Sequence, residues 1–310
     1  MIQADQRPQK RLGLGIFTVI LATVALAIQA MFVKLASPDL STNFICFSRT
    51  AVNFILLIGW ILISPKTEKG KELYQTKRFG HHLIRSLAGV AAIYCFYYSI
   101  TLLTLATGTL IYYSFPLFVP LISRVWLKIT ILKRLWWGLS VAFLGLLIVL
   151  HPGKELFDPL VLIPLLGAIV AAIAVIAMRI LNYTEPWERI TLYYFAIGVI
   201  VATIVLLLFP DPNAVYTPRS LTYAVLAGVF GAIFQVALTF SAKFAPMRLI
   251  SPFIYLSFIF GAVIQYIIWG QAVKMGEVIG FILIVAGTIL LVFLYPKDDL
   301  QFHLKKEKKS

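Results

Sequence analysis

Tyrosines recur at helical spacing in one of the most apolar parts of this chain. Tyr94, Tyr97, Tyr98 and Thr101 follow an i, i+3, i+4, i+7 pattern, so on a helix they share one face. Tyr112, Pro116 and Pro120 fall at four-residue steps soon after, with Ser114 beside them. Tyr255 and Ser257 follow a Ser251-Pro252 pair much later. A phenol ring offers a flat apolar face and one hydroxyl, which suits stacking on a planar solute or holding a cation against the ring. Proline lacks a backbone N–H and frees a carbonyl of the preceding turn. Gln29 and Gln235 add amides, while Arg49, with Asn53 one turn later, adds a fixed positive charge suited to a carboxylate or phosphate. These are binding groups rather than reacting ones. No Ser-His, His-Glu or paired-aspartate constellation falls within an apolar segment, so no catalytic residue is expected. Cys46 and Cys95 lie apart without metal-ligand spacing, so neither a metal site nor a cofactor is expected.

The same residues have plainer readings. Tyrosines near helix ends form interfacial belts, and small residues permit close helix packing. Packing against neighbouring helices could satisfy the prolines as well as a polar hollow would. Arg49 could extend to the nearer membrane surface. Arg85, roughly opposite the tyrosine stripe by helical angle, reads as an interfacial anchor. Gly138, Gly145, Gly280 and Gly287 read as packing positions, and His81–His82 as a solvated pair.

The elements that would position these groups are membrane helices. The chain has 310 residues, 60% hydrophobic and 13% charged, far from the mix of a soluble domain. A crossing helix needs about 20 mostly apolar residues. Ten such stretches run roughly 12–33, 43–63, 83–103, 105–126, 135–150, 159–181, 189–209, 220–241, 249–269 and 275–295. The first follows Lys10 and Arg11, as a signal peptide would, but its apolar core is too long for one and nine more spans follow.

The net charge of +14 is distributed in a way that disfavours nucleic acid as a partner. With a cytoplasmic N-terminus, most Lys and Arg fall on the inner side: Lys10 and Arg11, the 64–85 loop, Arg124, Lys128, Lys133, Arg134, Arg179, Arg189, Lys243, Arg248 and the tail. Lys34, Lys154, Arg219 and Lys274 fall outside. This bias predicts both termini in the cytoplasm, and a basic tail over residues 297–310 suited to anionic lipid heads. The 13 carboxylates all lie outside the central parts of the spans, which leaves no embedded proton relay.

The chain also repeats. "LAGV" at 87–90 recurs at 226–229, "GLSVAFLG" at 138–145 is answered by "GFILIVAG" at 280–287, and Lys34 in "FVKLASPDL" is matched by Arg179 in "AMRILNYTE". Each half then holds five helices. An odd number makes the second copy enter from the opposite side, so the copies, 1–151 and 152–296, are expected to be inverted. Inverted repeats place a site at their interface near the membrane midplane and expose it to each side in turn by rocking.

The segment "GVAAIYCFYYSITLLTLATGTLIYYSFPLFVPLISRVWL" followed by "LWWGLSVAFLGLLIVL" resembles the EamA-type half of the drug/metabolite transporter superfamily. The resemblance covers essentially the whole chain. It departs from the family where members often carry Gly-Glu after the fourth helix: here the chain reads "WLKITILK", with Lys128. The resemblance implies an all-α membrane protein of ten transmembrane helices in two inverted repeats. It also implies a central site walled by helices 3, 4, 8 and 9 with 1 and 6, where the tyrosine and amide stripes fall.

The expected function is secondary transport of a small organic metabolite by alternating access, across a cell membrane that the compact chain suggests is a bacterial inner membrane. An amino acid, a nucleoside-like compound such as S-adenosylmethionine, or an aromatic drug-like solute would fit, since members of the resembling group move such solutes. Without an embedded carboxylate, uniport or exchange is expected over proton coupling. A channel or scaffold, and least of all a membrane enzyme, are the alternatives. The sequence leaves monomer and homodimer equally open.

Overall fold

The computed structural model describes residues 7–63, 71–103, 105–128, 133–151, 158–211, 214–270 and 275–294. The basic tail expected to meet lipid lies outside the described residues. Among the described residues every regular element is helical. In chain order they are α1 (Arg7–Ala36), α2 (Thr42–Ile63), α3 (Lys71–Tyr74), α4 (Phe79–Leu102), α5 (Leu105–Tyr112), α6 (Phe115–Leu127), α7 (Leu135–Leu150), α8 (Leu162–Leu181), α9 (Trp187–Leu208), α10 (Pro218–Phe244), α11 (Met247–Ile250), α12 (Leu256–Trp269) and α13 (Met275–Leu294). Short 3-10 segments precede α8 at Pro159–Val161 and join α11 to α12 at Ser251–Tyr255.

Among the described residues, eight helical stretches are long and apolar enough to cross a membrane, and α7 is a shorter apolar helix. The 24 residues of α4 reach about 36 Å, enough for a tenth crossing. These match the ten stretches read from the sequence, with α5 and α6 together making the fourth and α11 to α12 making the ninth. Large apolar side chains such as Phe17, Ile63, Leu207 and Phe293 are exposed on the outside of the bundle, as a hydrocarbon surrounding demands.

Helix ends follow local chemistry. At the start of α10 the Thr217 hydroxyl accepts from the Ser220 N–H at 3.1 Å, and the Ser220 hydroxyl accepts from the Thr217 N–H at 3.1 Å. Pro218 follows in the first turn, where no N–H is needed. At the other extreme α12 stops at Gly270, whose φ of +65° a side chain would strain.

The packing comes in matched pairs. α1 runs along α10 as α8 runs along α4; α1 also meets α12 as α8 meets α6; α2 touches α10 as α9 touches α4. α2 packs on α9, and α7 on α13. The last pair is held by glycines. A Cβ on Gly145 would stand 2.6 Å from the Gly280 carbonyl oxygen, and one on Gly280 2.7 Å from that of Gly145. Gly138 and Gly287 close on each other in the same way, so the two backbones touch, as the packing reading of these four glycines requires. Between the pairs lies the main core, with Val19, Ala22, Val119, Ala172, Ile176 and Ile254 among its buried members.

Candidate functional site

Among the described residues, two of the crossings depart from regular α-helix before their second half. α5 ends at Tyr112, and the chain turns through Tyr113 and Ser114 before α6 begins. The Ser114 N–H reaches back to the Ile111 oxygen at 3.1 Å, and the Leu117 N–H to the Ser114 oxygen at 2.9 Å. Both bonds span three residues rather than four, so the helix tightens here. Ser114 also donates its hydroxyl to the Ile111 oxygen at 2.6 Å. Pro116 sits in the first turn of α6, where a missing N–H costs nothing, and Pro120 stays inside that helix. The break therefore precedes both prolines rather than lying on them. In the ninth crossing the 3-10 segment Ser251–Tyr255, with Pro252 near its start, separates α11 from α12. Ser257, just beyond, donates its hydroxyl to the Ile254 oxygen at 2.6 Å.

Aromatic rings gather at these breaks. Tyr112 lies against Phe96 of α4, with ring centroids 4.7 Å apart, and against Tyr113 at 5.2 Å. Tyr113 meets Phe258 of α12 edge-on at 5.1 Å, which joins one interrupted crossing to the other. The Arg49 charge is close enough to act on the Tyr113 hydroxyl. Arg49 and Asn53 are both buried, at 6% and 1% exposure, so Arg49 is not drawn out to the membrane surface. Gly231 of α10 makes the room: a Cβ there would stand 3.2 Å from Arg49 Nε and 3.4 Å from Asn53 Oδ1.

Other expected members are buried as well. Gln235 is buried and donates to Thr239 Oγ1 at 3.3 Å. Thr239 contacts the sulfur of Met178, and Asn182 donates to the Thr239 carbonyl at 3.1 Å, so α8 and α10 share a polar seam. Gln29 on α1 is buried, and its Oε1 has no hydrogen-bond partner among the described residues. The same holds for the hydroxyls of Ser251 and Tyr255 and for Asn53 Oδ1. Buried polar atoms are nearly always partnered; these four are exceptions.

The tyrosine stripe of α4 does not face one space. Tyr94 packs at the edge of a cluster containing Leu57, Val90, Tyr194 and Phe195. Tyr98, one turn on, is exposed. Helices cross at an angle, so a neighbour covering one turn of a face can leave the next bare. The side chains of Tyr97 and Thr101 lie outside the described residues.

Three features escaped the sequence reading. Tyr113, not counted in any stripe, is the ring that links the two breaks. Arg85 is no interfacial anchor: it is 4% exposed, with its guanidinium carbon 4.0 Å from the centre of the Tyr194 ring. His82 is fully buried beneath Tyr193, ring centroids 4.4 Å apart, rather than solvated. A cation within an apolar helix was the available signal in the case of Arg85; its neighbour on α9 was not readable from α4.

Comparison with known proteins agrees with this architecture. The EamA-like transporter family matches twice, over residues 13–151 and 159–293. The pseudopaline exporter CntI of Pseudomonas aeruginosa is 26% identical over 278 residues, covering 89% of this chain and 95% of that protein. An S-adenosylmethionine uptake transporter of Rickettsia bellii is 24% identical over 292 residues, covering 93% and 96%. A solved crystal structure superposes with a TM-score of 0.76 at 15% identity, over 92% of this chain and 99% of that one. With two family matches spanning nearly the whole chain over a bundle of membrane-crossing helices, this protein belongs to the EamA-like transporter family and is a multi-pass membrane transporter.

Proposed function

We propose that the protein carries a small organic solute by alternating access, with the solute held where the two interrupted crossings meet. The observation that carries this reading is the Tyr113–Phe258 contact, which joins breaks in the fourth helical crossing of each half. Interrupted helices at corresponding positions of two repeats are the usual frame of a transport site. The two copies, 1–151 and 152–296, each hold five crossings and so run in opposite senses; the matched packing of α1 on α10 and α8 on α4 supports that symmetry. Both termini are cytoplasmic, and the relatives' hosts favour a bacterial inner membrane.

The solute class follows from the walls. Tyr112, Tyr113, Phe96 and Phe258 offer ring faces, and Arg49 offers a charge for an anionic group. A relative named for S-adenosylmethionine uptake and another named for pseudopaline export fit a metabolite of mixed polar and apolar surface. Among the described residues, no carboxylate lies in the central part of a crossing, so transport runs as uniport or exchange rather than through an embedded proton relay.

Counterflow in proteoliposomes tests this. Vesicles preloaded with unlabelled S-adenosylmethionine, methionine or tryptophan are expected to draw in the labelled solute transiently for at least one of the three. Arg49→Gln is expected to reduce that uptake about tenfold, the loss of one charge-assisted contact. Single-channel currents, or uptake without saturation, would instead support a pore. Undiminished counterflow in Arg49→Gln would move the site elsewhere.

A further inference from the structure

We infer that Arg85, with Tyr194 and Tyr112, forms a second anion-binding station that takes the carboxylate of the transported solute on the opposite half of the route from Arg49. The inference rests on the transport site proposed above and adds a residue and a substrate class to it.

Arg85 lies six residues into α4, about 9 Å from the start of that helix. Arg49 lies seven residues into α2, about 10 Å from its start. The start of α4 adjoins the far end of α2 in the chain, so the two guanidiniums are buried at depths measured from opposite ends of the bundle. Between them stand the paired tyrosines of the first break. The Arg49 charge acts on Tyr113, and the Arg85 charge acts on Tyr112. The two rings touch at 5.2 Å.

The pocket around Arg85 is built to hold a cation and leaves part of it open. Tyr194 of α9 engages the guanidinium through its ring face. Gly89 lets the side chain fold back along its own helix: a Cβ there would come within 2.5 Å of the guanidinium and 2.8 Å of the Tyr194 ring. Arg85 Nε has no hydrogen-bond partner among the described residues, and no described carboxylate pairs with it. Glu185, in the turn before α9, is already held by Arg189 and Thr76. A buried cation is stable when an anion meets it. A guanidinium matches a carboxylate through two parallel N–H donors, and two tyrosines beside it supply further donors. A carboxylate-bearing solute would be passed from Arg49 past the Tyr113 and Tyr112 hydroxyls to Arg85 as the access side changes.

Pairs of solutes with and without a free carboxylate test the idea on the purified full-length protein. The probes are methionine with methioninamide, tryptophan with tryptophanamide, and S-adenosylmethionine with its decarboxylated form, read by thermal shift and titration calorimetry. At least one acid is expected to bind at least tenfold more tightly than its partner. Arg85→Gln is expected to weaken the acid roughly tenfold to hundredfold while leaving the partner's affinity unchanged, and Arg85→Lys to recover part of the loss. Should the glutamine variant fail to fold, Tyr194→Phe, which keeps the ring but removes the hydroxyl, is expected to weaken the acid by a smaller factor. Equal binding of every acid and its partner overturns the inference, as does a set of acids none of which binds, or an Arg85→Gln protein that binds the acid as tightly as the unmodified protein does. Counterflow that persists alongside any of those results overturns Arg85 alone; its loss for every solute overturns the transport reading itself.

Discussion

The two ends of the bundle are closed by related but unequal clasps. After the first helix of one half, Asp39 accepts a hydrogen bond from the Thr217 hydroxyl at 3.2 Å, and its carbonyl accepts one from the Val215 N–H at 2.8 Å. After the first helix of the other half, Glu185 accepts from the Thr76 hydroxyl at 2.7 Å and pairs with Arg189, which in turn donates to the Leu73 carbonyl at 3.0 Å. Each carboxylate thus ties one half to the other, at opposite ends of α2. The Asp39 clasp is half-exposed, pairs with no described cation at salt-bridge distance, and sits over a small apolar patch of Ala36, Leu40, Ile45 and Ala224. The Glu185 clasp is 9% exposed and lies over a deeper seal of Leu57, Ile61, Leu73, Leu192 and Phe195, with His82 buried beside it. Equivalent places in the two halves therefore carry different strengths of closure. A carrier needs both ends to open in turn, and in this conformation the Glu185 end is the harder one to part.

The largest effect is expected at the ion pair. Glu185→Ala removes the carboxylate that pairs with Arg189, itself mostly buried, which costs about 3 kcal/mol or somewhat more. Thermal unfolding in detergent should show a clear fall in Tm, and a cysteine placed at Tyr74 should become more reactive to an impermeant maleimide. A fall no larger than that of an Asp39 variant would remove the inequality. Next comes the seal beneath it. Leu73 is 1% exposed in the apolar cluster, and Leu73→Ala should cost about 2–3 kcal/mol through lost burial and a residual cavity. Its counterpart Leu40→Ala, in the smaller patch at the other end, should cost less; the same pair of unfolding curves measures both.

How much of this was legible in the sequence differs between the frame and the clasps. Ten apolar stretches and the glycines at 138, 145, 280 and 287 declared the bundle and its tightest helix pair, because length, hydropathy and small size act locally along one helix. The interruption of the fourth crossing was signalled by Pro116 and Pro120, yet it falls at Tyr113 and Ser114, since a proline in the first turn starts a helix as readily as it ends one. Tyr112 was found because it shares a face with Pro116. Tyr113, the next residue, in the turn after α5, entered no stripe, and its importance comes from Phe258, 145 residues along the chain. Arg85 and His82 were misplaced for the same reason: what buries them is α9, and a helical wheel drawn on α4 alone carries no trace of α9. Contacts between the halves also decide Asp39 and Glu185, which in sequence are unremarkable loop acids.

The smallest effect is the most discriminating. Asp39→Asn keeps the shape of the side chain and its ability to accept from Thr217, while removing the negative charge. A neutral acceptor for a charged one at a half-exposed site should cost about 1 kcal/mol at most, so the unfolding curve should hardly move. Transport is the sharper readout. The backbone bond from Val215 to the Asp39 carbonyl survives the change, so the clasp is loosened rather than lost, and the Asp39 end should open more readily. If parting that end limits turnover, uptake rises; if parting the buried Glu185 end limits it, uptake stays as it was. The unequal seals favour the second result, since a rate is set by its hardest step. A marked rise in uptake by Asp39→Asn would show that the thinner closure is the one that governs the cycle, and that burial at the Glu185 end does not translate into a barrier.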